Sequence, residues 1–178
     1  TATMQATIED NGLVTINMGA PRFEPEQIPL RYAQKSMTYG LEVEGLRFQV
    51  GALSMGNPHC VIQVTDIEKA QVQKIGHAMS QHSYFPEKAN VGFMQIVDKE
   101  HIKLRVFERG VGETLACGTG ACAAMVVSRL QQLTEKRVKV SLPGGSLWIE
   151  WAGKTNQDAD TVSMTGPAKW VFEGQIEL

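Results

Sequence analysis

The sequence predicts an α+β fold in which strands wrap one central helix and a second helix lies on the surface. Three observations carry this. Residues 118–133 read as a helix that is small or apolar nearly all round, with Ala121, Cys122, Ala123, Ala124, Met125, Val126 and Val127 in succession. A helix apolar on every side has to be surrounded by protein. Most of the remaining chain falls into short alternating runs broken by turn residues, which is the pattern of strands. One stretch alone, residues 66–81, has the period of an amphipathic surface helix, and neither a βαβ rhythm nor an internal repeat organises the rest. About eight strands or more and two helices result.

Taken in order, residues 1–18 carry two alternating runs split by Glu9-Asp10-Asn11-Gly12. Asn-Gly between such runs predicts a β-hairpin with a type I′ turn. Residues 19–29, with three prolines, are extended or irregular, and residues 31–39 show no period. Residues 41–53 alternate well enough for one or two strands around Gly45 and Gly51. The turn Gly56-Asn57-Pro58 then feeds a strand on which Cys60, Ile62 and Val64 share one face, with His59, Val61 and Gln63 on the other. Asp66 caps the surface helix through Ile67, Ala70, Ile75 and Met79 to about Gln81, and His77 and His82 face water. Residues 84–90 form a loop ending in Asn90 at the mouth of a strand to Asp98. Asp98-Lys99-Glu100 turns that strand back into an antiparallel partner, residues 101–109. After the central helix come strands over residues 138–142 and 146–151, a polar loop at 153–160, and strands at 161–165 and 168–172, with residues 175–178 extending that edge.

At 178 residues the chain fits one domain, able to bury about 68–75% of its extended surface without staples. A net charge of −2 and a pI of about 6.1 argue against nucleic acid, and no apolar run approaches the ~20 residues of a membrane span. Small molecules and proteins remain as partners. The odd count of three cysteines, Cys60, Cys117 and Cys122, in apolar surroundings points to a reducing, cytoplasmic setting rather than a disulfide framework. No Cys/His spacing matches a zinc site, so no metal is expected. The chain opens at Thr1 without a targeting leader, which reads as a start inside a longer protein.

The chemistry concentrates in residues 108–122, where a strand ends in Glu108-Arg109, a glycine turn follows, and Cys117 stands where the central helix begins. Gly118 and Gly120 leave backbone N–H groups uncovered at that helix start, a position that favours negative charge. It suits a carboxylate ligand, and it lowers the pKa of a cysteine thiol below ~8.5. Strand parity puts Glu108 on the face of Ile102, Leu104 and Val106, so a carboxylate is delivered to an apolar interior, where desolvation raises its pKa. Arg109 points the other way, free to fork onto a substrate carboxylate. The same spacing fits a buried Glu–Arg pair beside an inert core cysteine. Cys117 and Cys122, about 140° apart around the helix at ~100° per residue, cannot serve one site. Cys60 reads as a small core residue, while His59 and Asn57 either line a cleft or hold their own turn.

Ala116-Cys117-Gly118-Thr119-Gly120-Ala121 after Glu108-Arg109-Gly110, with Gly56-Asn57-Pro58-His59 upstream, Asn90-Val91-Gly92-Phe93 between and Pro143-Gly144-Gly145-Ser146-Leu147 downstream, resembles the C-terminal half of bacterial diaminopimelate epimerase from end to end of the chain. The resemblance implies a cofactor-independent, cytoplasmic, homodimeric isomerase of lysine and peptidoglycan-precursor synthesis, interconverting LL- and meso-diaminopimelate. It also implies an antiparallel β-barrel around a central helix. Cys117 would be one of two catalytic cysteines, Glu108 its base, and His59 an aid to the other cysteine. Asn57, Asn90, Glu108, Arg109, Gly118 and Thr119 would contact substrate. Many relatives have serine where Thr119 stands. Residues 1–166 would form the C-terminal catalytic half-domain. Residues 167–178 would be a terminal strand that packs on an N-terminal domain, and that domain, with the first cysteine, is absent from this sequence. Neither Cys60 nor Cys122 occupies a matching motif. Inverting Cα without an electron sink needs a base on one face and an acid on the other in a dry cleft, so the chain alone is expected to fold but not to turn over, with Trp170, Val171 and Phe172 exposed. Proline, hydroxyproline and phenazine-pathway relatives of the same superfamily, and a non-catalytic amino-acid-binding module, are the competing readings.

Overall fold

Nine consecutive residues of the central helix, from Gly120 to Ser128, are buried, and the strands are disposed around that fact. The computed structural model describes residues 5–153 and 160–176. Residues 1–4 of the hairpin stretch, most of the loop expected at 153–160 and the last two residues lie outside the described residues. The strands are β1 (Ala6–Ile8), β2 (Leu13–Asn17), β3 (Tyr39–Val43), β4 (Leu46–Ser54), β5 (Pro58–Gln63), β6 (Asn90–Asp98), β7 (His101–Glu108), β8 (Gly112–Thr114), β9 (Arg137–Leu142), β10 (Gly145–Glu150) and β11 (Ser163–Pro167), and the helices α1 (Val72–Ser80) and α2 (Gly118–Leu130). A 3-10 turn spans Pro25–Gln27.

All eleven strands form one sheet in the order β1-β2-β11-β10-β9-β7-β6-β5-β4-β3, with β8 on β7. Most pairs are antiparallel; β5 with β6 and β7 with β9 are parallel. The sheet curls around α2, which packs against β4, β5, β6, β7, β9 and β10. It is an open path rather than a closed barrel, yet the chain after β2 bridges the gap. Met18 N–H bonds Val162, and Arg22 exchanges two backbone hydrogen bonds of 2.9 Å with Ser54 at the end of β4. Close approach is possible because Gly51 has no side chain; a Cβ there would lie 2.5 Å from Val127 Cγ1. A second apolar layer, with Tyr39, Ile62, Phe93 and Phe107, fills the other side of β3 to β7 beneath α1. Both faces of β5 are therefore covered, and His59 is 1% exposed.

Several elements differ from the sequence reading for identifiable reasons. The Asn11-Gly12 hairpin forms, but only Gly12 has positive φ, at 78°, and Glu9 N–H bonds Leu13 O. This is a three-residue loop closed by a left-handed glycine rather than type I′. The I′ signature occurs at Glu44-Gly45, with φ of 53° and 73°, between β3 and β4. Helix α1 starts at Val72, not after Asp66. Asp66 accepts from Glu68 N–H, while the carbonyls of Ile67 and Ala70 are taken by the Arg105 guanidinium at 3.0 and 3.5 Å. Residues 168–172 form no strand. Pro167 pairs with Leu13, the first residue of β2, so the β2 side of this strand is used up there, and Trp170, Val171 and Phe172 are 79, 82 and 80% exposed.

Candidate active site

Cys117 is the N-cap of α2, in extended conformation, and 6% exposed. Gly120 makes its seat, since a Cβ there would meet both Cys117 Sγ and Val106 at 3.2 Å. The first N–H groups of α2 have no intrahelical acceptor and open at the same end as the sulfur. Strand β7 ends at Glu108, half-buried on the face of Leu104 and Val106, as parity requires. A turn with Gly110 at φ 80° and Val111 N–H on Glu108 O reverses the chain into β8.

These elements bring the predicted residues into one hydrogen-bonded chain. The Cys117 thiol donates to Glu108 Oε2 at 3.3 Å, and Sγ lies 3.7 Å from Thr119 Oγ1. Asn57 Nδ2 donates to Thr119 Oγ1 at 3.5 Å, and Asn57 Oδ1 lies 2.9 Å from His59 Nε2. Asn90 is 3% exposed and braces the two loops: its Oδ1 accepts from Arg109 N–H and its Nδ2 donates to Pro58 O. One N–H and one lone pair of that amide remain. Arg109 is exposed, its Nη1 on Glu87 O at 2.9 Å. Glu108 and Arg109 engage different partners, which removes the buried Glu–Arg pair as an explanation. Gly118 sits against Met164, 3.1 Å from Sδ to an added Cβ.

One electrostatic expectation is corrected. The Cys117 thiol is held above, not below, its ordinary value: burial dominates, the Glu108 charge and hydrogen bond add to it, and the Gly120 and Thr119 donors only partly offset this. The resting group is a thiol. Burial, with help from the Arg109 charge, pushes His59 down to about 3, so the imidazole is neutral. Cys60 and Cys122 are 0% exposed and their thiols are pushed up by burial.

Thr114 belongs to this network and is not among the residues the sequence singles out. Its hydroxyl donates to Glu108 Oε1 at 2.6 Å. The signal for it is parity across the hairpin: Glu108 pairs with Gly112 and Val106 with Thr114, so Thr114 lies diagonal to Glu108 on the same face.

A family model of diaminopimelate epimerase matches residues 51–171, a span containing every residue of this network. The chain belongs to the diaminopimelate epimerase family. A curated diaminopimelate epimerase from Alkalilimnicola ehrlichii is 55% identical over 169 residues, 95% of this chain, and this chain spans 59% of that relative's length. Among solved structures, the fold is similar to a "probable proline racemase" from Agrobacterium radiobacter K84, with a TM-score of 0.66 and 15% identity, covering 98% of this chain and 57% of that one. A hydroxyproline epimerase from Agrobacterium vitis gives 0.65 and 13%, over 92% of this chain and 54% of that one. At such identities these two likenesses speak for the fold alone.

Proposed function

We propose that this chain is the C-terminal lobe, residues 1–166 with a docking tail from 167, of a diaminopimelate epimerase that moves a proton at Cα without a cofactor. The single observation that carries the reading is the Cys117–Glu108 contact of 3.3 Å at the start of α2, within a family match to diaminopimelate epimerases.

Cys117 serves one face of the substrate Cα. As the resting thiol it gives its proton to the carbanion and becomes a thiolate. In the reverse direction Glu108 takes the S–H proton first, and the thiolate then removes the proton from Cα; run forwards, the same steps end with Glu108 returning that proton to the thiolate once Cα is protonated. The matching group for the other face comes from a second lobe, consistent with a chain spanning 59% of its relative's length. The N–H groups of Gly118 and Thr119 at the helix start hold the substrate α-carboxylate as charge builds on Cα. Arg109 forks onto a carboxylate after leaving Glu87, and Asn57 and Asn90 take the polar groups between. His59, buried and neutral, fixes Asn57 and through it the wall facing the second lobe's cysteine; it does not shuttle protons. Homodimer formation and a cytoplasmic setting, where three unpaired thiols persist, complete the reading.

The experiment is a substrate panel on the parent-length protein. LL-diaminopimelate conversion to the meso form is expected, with proline and hydroxyproline unchanged. Turnover of either cyclic amino acid, with diaminopimelate inert, would favour the racemase reading suggested by the shared fold. Calorimetric binding of diaminopimelate without conversion would favour a binding module.

A further inference from the structure

We infer that Thr114 is a positioning residue that holds Glu108 with one carboxylate oxygen against the Cys117 sulfur. This rests on the assignment of Cys117 and Glu108 as the proton-transfer pair. Glu108 is half-buried at the end of β7, and its two oxygens have different partners: Oε2 accepts the Cys117 thiol at 3.3 Å and Oε1 accepts the Thr114 hydroxyl at 2.6 Å. The hydroxyl's other neighbour, Ala116 O, is at 3.4 Å, so the short bond to the carboxylate takes the proton. A carboxylate at a strand end beside a glycine turn has room to swing, because Gly112 opposite it offers no side chain. The Thr114 bond removes that freedom.

Thr114 is itself fixed from both sides. The preceding residue, Glu113, points the opposite way and is gripped by Arg105 at 2.6 and 3.0 Å. The following carbonyl, Leu115 O, accepts Gly144 N–H at 2.7 Å, and a Cβ on Gly144 would press to 2.9 Å of that oxygen. The glycine pair after Pro143 thus braces the segment that carries Thr114 to Cys117. The other groups facing the sulfur are neutral: Thr119 from α2, and His59 of β5 acting through Asn57. Among the described residues Glu108 is the charged group that acts on the sulfur; its neighbour Arg109 is turned outward, with Nη1 on Glu87 O.

The test is alkylation of Cys117 by iodoacetamide as a function of pH on this chain, located by tandem mass spectrometry, in wild type, Glu108→Gln, Thr114→Val and Thr114→Ser. Both effects of Glu108 on the thiol are upward, so Glu108→Gln moves the midpoint to lower pH. Thr114→Val, by releasing the carboxylate, moves it the same way by about half a pH unit, read as about threefold faster alkylation at pH 8. Thr114→Ser overlays wild type. Thr114→Ala is the substitute should the valine variant not fold. A Thr114→Val curve that coincides with wild type or moves to higher pH, while Glu108→Gln shifts down, overturns the positioning role alone. No shift in Glu108→Gln overturns the pair itself, and the positioning role with it.

Discussion

His59 Nε2 and Asn57 Oδ1 lie 2.9 Å apart in a pocket that leaves 1% of the histidine exposed. A neutral imidazole is thus built into the wall of the site, with its pKa lowered to about 3 by burial and the Arg109 charge. The unfolded chain binds this proton near pH 6.5 and the folded chain does not, so stability is fully present above about pH 6.5 and falls as pH drops toward 3. Chemical denaturation should show a loss of about 2 kcal/mol between pH 7 and 5 from this residue, and His59→Gln should flatten that slope.

Gly51 and Val127 bring β4 and α2 into contact, with 2.5 Å between an added Cβ and Cγ1. Gly51→Ala should cost about 1–3 kcal/mol by overpacking. The double variant with Val127→Ala should recover part of that loss, seen as non-additivity in denaturant midpoints.

Trp151 and Phe172 stand at opposite extremes of aromatic burial. Trp151 is 1% exposed, packs on Phe23 and donates Nε1–H to Asp160 O. Trp151→Ala should cost about 3–5 kcal/mol. Phe172, 80% exposed beyond the last strand, should tolerate Phe172→Ser within about 0.5 kcal/mol in this chain.

Cysteine accessibility provides a fourth prediction. Cys60 and Cys122 are fully enclosed, and burial pushes Cys122 up to about 12. Native protein in excess iodoacetamide at mildly alkaline pH should gain one adduct, on Cys117, whereas denatured protein gains three; intact mass distinguishes these outcomes.

What could be read from the sequence was governed by range. Parity along residues 101–108 put Glu108 on the inner face, and the all-apolar run after Cys117 marked α2 as central; both depend only on neighbours in the chain. The start of α1 is not legible in the sequence because Arg105, 38 residues from Ile67, takes the Ile67 carbonyl ahead of the helix. The parallel pairing of β5 with β6 and of β7 with β9, and the closure of the wrap by Arg22 on Ser54, are also contacts between distant segments. Residues 168–172 carry the apolar and aromatic side chains of a strand, but β2 begins at Leu13, the partner of Pro167, and offers them no further pairing. The direction of the Cys117 shift is not legible in the sequence for a related reason. A helix N-terminus is visible in sequence, whereas the burial and the opposing Glu108 charge that outweigh it emerge only when β7 and α2 are brought together.

The most direct test of the account places this chain in the corresponding segment of the Alkalilimnicola ehrlichii relative and follows deuterium entry at Cα of LL-diaminopimelate in heavy water. Exchange and conversion to the meso form are predicted for the chimera and negligible turnover for the isolated chain, with Cys117→Ala abolishing conversion. Undiminished conversion in the folded Cys117→Ala chimera, or turnover by the isolated chain, would contradict a site in which Cys117 works one face of Cα and a second lobe the other.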